Sequence, residues 1–120
     1  GFICTNVQET DLAGHKEDSF LYADRLSVAD VYISRLMPML NPQDIMIIMA
    51  DHGNDPTIGH SHHTRENVPI LIYKEGVQNI FIGERKTLSD IGATVAEYFN
   101  AEKPENGESF LKLISKKEEC

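Results

Sequence analysis

The feature that most constrains this chain is the run IMIIM at residues 45–49, apolar, partly β-branched and without polar interruption, together with the loop that follows it. A run that short reads as a strand buried on both faces, as in a parallel sheet. It stops at Ala50, and the chain then delivers Asp51, His52, Gly53, Asn54 and Asp55, followed by His60, His62 and His63. Ligands of open α/β sheets collect just beyond the carboxyl ends of strands. Four of the five histidines of the chain fall in residues 52–63. A metal or catalytic site explains that concentration better than a polar cap followed by surface histidines.

Around this centre the chain reads as alternating strands and helices. Residues 1–6 are apolar, then polar, and predict a first buried strand. Its exit loop carries Glu9, Asp11 and His15, with Gly14 giving freedom for a tight turn. Asp11 and His15 lie four apart, so one helical turn or a compact loop aims both at one point. Taken alone, the pair reads equally as a polar loop capping the next helix. From residue 19 to 40 the apolar residues Tyr22, Leu26, Ala29, Ile33, Leu36 and Leu40 recur at helical steps. That stripe is expected to pack on a sheet and carries no chemistry, and Asn41 before Pro42 ends the helix. A strand–helix–strand unit crosses over right-handed, which makes the two strands parallel and brings their exit loops to one sheet edge.

Further on, residues 68–73 predict a strand with Pro69 near its start, and residues 79–82 a short edge strand. Thr87 and Asp90 fit a capping box before a helix that buries Leu88, Ile91, Val95 and Phe99 and ends near Asn100. A last short helix, residues 109–114, docks Phe110 and Leu113. Residues 1–114 are thus expected to form one domain and residues 115–120 a frayed tail.

A formal charge of −8 over 120 residues argues against a nucleic-acid partner. No apolar stretch approaches the roughly eighteen residues of a membrane span, and no signal peptide is evident. The two cysteines, Cys4 and Cys120, make no disulfide framework, which suggests a reduced, cytoplasmic protein. The sequence begins at Gly1 with a strand already under way, so it is expected to be part of a longer protein. A parallel sheet cut in this way leaves an unpaired edge and exposed apolar surface, and self-association is expected.

The candidate ligands Asp11, His15, Asp51, His52 and His63 are carboxylates and imidazoles without a thiolate. That set suits manganese, iron or zinc and argues against a closed structural zinc site. Two ligand groups meeting at one sheet edge would suit a pair of ions roughly 3.5–4 Å apart, which clamp both oxygens of a transferring phosphoryl group.

These residues also carry a resemblance. The strings ADHGNDPT at residues 50–57 and HTRE at 63–66, with Val68 and Pro69, resemble the carboxy-terminal metal-binding segment of the phosphopentomutases. That family belongs to the alkaline phosphatase superfamily, alongside the cofactor-independent phosphoglycerate mutases. Thr5 with Asn6, Gly14 with His15, SDIGAT at 89–94 and GESF at 107–110 match in the same order. The ADHG element is shared across the mutases, whereas HTRE and DIGAT favour the pentomutase branch.

The resemblance implies an α/β fold, a partial three-layer αβα core with a mainly parallel sheet, truncated in its amino-terminal half. It implies two divalent ions, manganese first among them, with Asp11, His15 and His63 on one and Asp51 and His52 on the other. It implies a phosphorylated sugar substrate, with phosphate moved between the C1 and C5 oxygens of a pentose through a phosphothreonine. That threonine, an aspartate partner and a cap domain belong to parts of the family outside this sequence, so the chain alone is expected to be inactive. Thr57 and Thr64 do not match the nucleophile's motif and are expected to be structural. Arg65 is a candidate phosphate contact or a structural ion pair.

Three departures from the family pattern stand out. The first loop is one residue shorter between aspartate and histidine, which leaves Glu9 as an alternative to Asp11. His62 stands where the family commonly has aspartate, and His60 is additional. Both histidines are read as solvated loop residues, although either offers a further ligand, and together they suggest a paralogue. The rival readings are a metal-dependent phosphatase, a phosphoglycerate-type mutase, and a non-catalytic metal-binding module.

Overall fold

Asp18 opens the longest helix among the described residues. Its backbone is extended and its carboxylate accepts the Leu21 N–H at 2.9 Å, satisfying one of the donors a helix start leaves unpaired. The structure is a computed structural model that describes residues 1–115. Its elements run α1 (Glu9–His15), α2 (Ser19–Leu36), a 3-10 turn (Met37–Met39), β1 (Met46–Met49), β2 (Ile70–Tyr73), α3 (Ser89–Tyr98) and α4 (Leu111–Ile114). They fall into two compact units, one of Gly1–Leu40 with Ile47–Leu71, the other of Asn41–Met46 with the chain from Ile72 onward. No helix among the described residues is long and apolar enough to cross a membrane.

In the first unit α1 and α2 pack on each other, with Ala13 and Gly14 as the buried face of α1. The corner between them is made by Glu17, which takes a left-handed backbone at φ 55°. The Glu17 and Asp18 N–H groups bond back to Gly14 and Ala13. Helix α2 ends earlier than the Asn41–Pro42 boundary predicts. Pro38 has no N–H to give to an α-helix, and the chain tightens into the 3-10 turn around it.

Several expectations about the sheet are corrected. Strands β1 and β2 form a two-stranded antiparallel sheet, and a mainly parallel sheet is not formed among the described residues. Residues 1–6 and 79–82 are in no strand, and most of them are exposed. Their composition suits a strand, but a strand exists only where a neighbour completes its hydrogen-bond ladder, and none lies beside them. Strand β1 is half-buried with Met49 exposed, rather than buried on both faces. The stripe of α2 likewise has no sheet to cover it. Tyr22, Ala29 and Ile33 are half-buried, Leu26 and Leu36 are exposed, and no residue of α2 is fully buried.

The second unit is built around an ion pair between the buried Asp90 and the partly buried Arg85. The Arg85 Nε donates to Asp90 Oδ2 at 2.7 Å, and the Glu108 N–H donates to Asp90 Oδ1 at 2.8 Å. One turn along α3, the Thr94 hydroxyl donates to the Asp90 carbonyl and accepts the Phe110 N–H. Gly107, at φ 101°, lies so close to Ser89 that a β-carbon would sit 2.4 Å from its carbonyl oxygen. These bonds hold the 107–110 segment against α3 and bury Phe110 and Ile114. The capping box is corrected accordingly. Thr87 accepts the Ser89 N–H, but Asp90 turns inward to Arg85 instead of capping. The face of α3 that becomes buried is Asp90, Ala93 and Thr94, while Leu88 and Phe99 stay exposed. At the last helix the docked residues are Phe110, which precedes α4, and Ile114, and Leu113 is exposed. Of the expected frayed tail, all but Ser115 lies outside the described residues.

Candidate metal centre

Helix α1 supplies the first two polar groups of the site. Asp11 and His15 sit one turn apart on it, and His15 Nε2 lies 3.4 Å from Asp11 Oδ2. The loop after β1 supplies the others. His52 Nε2 is 3.6 Å from Asp11 Oδ1, and His63 Nε2 is 3.3 Å from the same oxygen. One ligand atom from each of Asp11, His52 and His63 lies within 4.8 Å of the other two. His15 joins at the rim, its Nε2 being 3.2 Å from that of His63.

The imidazoles are turned the way metal ligands are turned. His52 Nδ1 faces the Gly53 carbonyl at 3.0 Å, and His15 Nδ1 faces the Ser61 carbonyl. A carbonyl only accepts, so each Nδ1 carries the proton, and in the neutral ring Nε2 is left with a lone pair aimed at the cluster. Nitrogen lone pairs and a carboxylate converging within 3.6 Å repel unless a proton or a cation sits among them. The donor set fits a divalent cation of the manganese, iron or zinc type.

The loop is closed by a backbone pair. Gly53 and Thr64 form an antiparallel bridge, with the Thr64 N–H on the Gly53 carbonyl at 3.0 Å, and the Thr64 hydroxyl bonds the Glu66 carboxylate. A β-carbon on Gly53 would lie 2.8 Å from the Thr64 carbonyl oxygen and closer still to Glu66. The bridge sets His63 beside His52, their rings stacked with centroids 3.5 Å apart.

Asp51 lies at the edge, its side chain 80% exposed and one oxygen 3.6 Å from His52 Nε2. His52, assigned by the resemblance to the second set, has its Nε2 3.6 Å from Asp11 of the first. Glu9 is exposed, and Asp11 occupies the position that faces the histidines. His60 and His62 are exposed and pair with each other, the His62 N–H donating to His60 Nδ1. Arg65 is exposed and takes part in none of the ion pairs found among the described residues. Thr57 gives its N–H and hydroxyl to Asp55, which holds that carboxyl below its ordinary range.

Two residues at the site escaped sequence reasoning. Tyr22, read only as part of an apolar stripe, lies where burial and then the charges of Asp11, Asp55 and Glu66 raise its phenol above the ordinary value. Asn54 donates from Nδ2 to Asp11 Oδ1 at 3.2 Å. A polar residue in a polar loop gives no periodic signal. The clue to Asn54 lay in Gly14, a glycine inside a helix.

The sequence pattern of the metalloenzyme superfamily matches residues 1–103. The chain is similar to the phosphopentomutase of Kosmotoga olearia, 40% identical over 95% of this chain and 30% of that protein. It is similar to the phosphopentomutase of Hahella chejuensis, 46% identical over 91% of this chain and 27% of that protein, and to that of Alkaliphilus metalliredigens, 43% identical over 95% and 30%. The chain therefore spans no more than 30% of the length of these curated relatives.

Proposed function

Because the chain belongs to the metalloenzyme superfamily, we propose that it is the metal-binding, carboxy-terminal portion of a phosphopentomutase-like enzyme. The intact protein would move phosphate between the C1 and C5 oxygens of a pentose phosphate, through a threonine supplied by the remainder of the protein. The observation that carries this reading is the convergence of His52 and His63 Nε2 on one oxygen of Asp11, at 3.6 and 3.3 Å. The identity to several phosphopentomutases supports the substrate class.

Asp11, His52 and His63 would hold a divalent ion, with His15 and Asp51 placed to complete the set; manganese is the ion we favour, and a second ion would draw on ligands from outside this chain. Bound there, a divalent ion stabilises the charge on a transferring phosphoryl group. The chain's own residues fix the geometry. The Gly53 and Ser61 carbonyls orient the rings of His52 and His15, the Gly53–Thr64 bridge sets the stack, and Asp11 supplies the negative charge on which the imidazoles converge. Arg65, exposed two residues beyond His63, is the candidate phosphate contact.

The test is to follow pentose 1-phosphate by phosphorus NMR in the presence of the longer protein and a divalent cation. The proposal expects conversion to the 5-phosphate without inorganic phosphate, and no turnover by the 120-residue chain alone. Release of inorganic phosphate as the main product would overturn it in favour of a phosphatase.

A further inference from the structure

Helix α1 contains a glycine where its buried face meets the loop, and the space that glycine leaves is filled by one side chain. A β-carbon built on Gly14 would lie 2.2 Å from both Nδ2 and Oδ1 of Asn54 and 2.3 Å from its Cγ. The amide therefore lies face-on against the Gly14 α-carbon. From there Nδ2 reaches two acceptors, Asp11 Oδ1 at 3.2 Å and the Asp11 carbonyl at 3.4 Å. Both groups on Asp11 are acceptors, so the amide nitrogen and not its oxygen must face them.

The oxygen that Asn54 binds is the one on which His52 and His63 converge, whereas Asp11 Oδ2 faces His15. The bond fixes the plane of the carboxylate and so the direction in which its oxygens face the histidines. We infer that Asn54 is the positioning residue for Asp11, and that Gly14 is needed in α1 because no residue with a β-carbon leaves room for the Asn54 amide. This rests on the reading of Asp11 as a metal ligand. It gives the Gly14–His15 pair and the asparagine of ADHGN a shared physical reason: one admits the other, and together they aim the carboxylate.

The coupling makes the test specific. Gly14 carries no left-handed backbone, and alanine is the better helix former, so Gly14→Ala should leave the fold intact and still harm the site. Cobalt(II) is titrated into the full chain, wild type and Asn54→Ala, Gly14→Ala and the double variant, with affinity and the visible cobalt spectrum at saturation as readouts. Thermal unfolding of each metal-free protein controls for folding. Loss of a residue that orients a ligand weakens metal binding about 10–100-fold. Asn54→Ala and Gly14→Ala are each expected to do so and to alter the cobalt spectrum. The double variant should bind no worse than Asn54→Ala, since the atoms the new methyl would strike are gone. Wild-type affinity and spectrum in Gly14→Ala, or penalties that add in the double variant, would overturn the inference while the metal site stands. A folded wild type that binds no cobalt would instead overturn the reading of the site, and the inference with it.

Discussion

The imidazole of His63 lies stacked on that of His52, their centroids 3.5 Å apart and their planes within 16° of parallel. Ten residues of loop separate them, and the stack depends on the bridge that closes the loop, between Gly53 and Thr64. The approach is possible because Gly53 has no β-carbon. Gly53→Ala would press a methyl against the Thr64 carbonyl, which belongs to the backbone and cannot turn aside. Overpacking of this kind costs about 1–3 kcal/mol. The expected result is a drop in stability of that order in denaturant unfolding, together with loss of the ring-current shifts that the stacked imidazoles impose on each other in proton NMR.

The ion pair of Arg85 and Asp90 should dominate the stability of the second unit. Removing the Asp90 carboxylate leaves the Glu108 N–H without its acceptor and the partly buried Arg85 without its partner, and an unsatisfied buried group costs about 1–3 kcal/mol. Asp90→Ala is expected to unfold the 107–114 segment and expose Phe110, read as loss of amide protection at Glu108 and Phe110 in hydrogen exchange.

The same carboxylate predicts a pH dependence. Burial pushes the Asp90 carboxyl up, but the Glu108 N–H and the Arg85 and Lys86 charges outweigh it, and the net shift is downward. A carboxyl held below its unfolded value lends stability that is present above the unfolded pKa, about 3.9, and is lost as pH falls through the folded one. The second unit should therefore lose stability below about pH 4, and Asp90→Asn should flatten that part of the curve.

Glu17 takes a left-handed backbone at the α1–α2 corner without being glycine. Relief of that strain, less the added freedom of glycine in the unfolded chain, should make Glu17→Gly more stable by about 0.5–1 kcal/mol. Thermal unfolding checks this, and a destabilised variant would mean that the Glu17 side chain makes a compensating contact.

Phe2, Ile3, Phe20, Met39 and Phe81 are exposed by 63, 89, 89, 75 and 89%. The two strands of the sheet are both edges. The chain by itself should self-associate, with apparent mass rising with concentration in light scattering. A monodisperse monomer would contradict that expectation.

What the sequence disclosed and what it concealed divide along physical lines. Local geometry was legible. The four-residue spacing of Asp11 and His15 is a helical turn, the helix expected from residue 19 starts at Ser19, and the loop after β1 carries the imidazoles. Partnership was less so. Residues 1–6 and 79–82 have the composition of strands, yet composition does not say whether a neighbour will complete the ladder. Asp90 matches a capping pattern three residues after Thr87, but Arg85 and the Glu108 N–H compete for its carboxylate and win. Asn54 was concealed for a similar reason, since its importance lies in a glycine forty residues earlier in the chain.

The central claim is that Asp11, His52 and His63 hold a cation. Calorimetric titration of manganese into the chelator-stripped chain, run beside His63→Ala, tests it most directly. The account predicts binding of about one ion by the folded wild type and none by the variant. A folded wild-type chain that takes up no manganese, or a His63→Ala variant that binds as tightly, would contradict it.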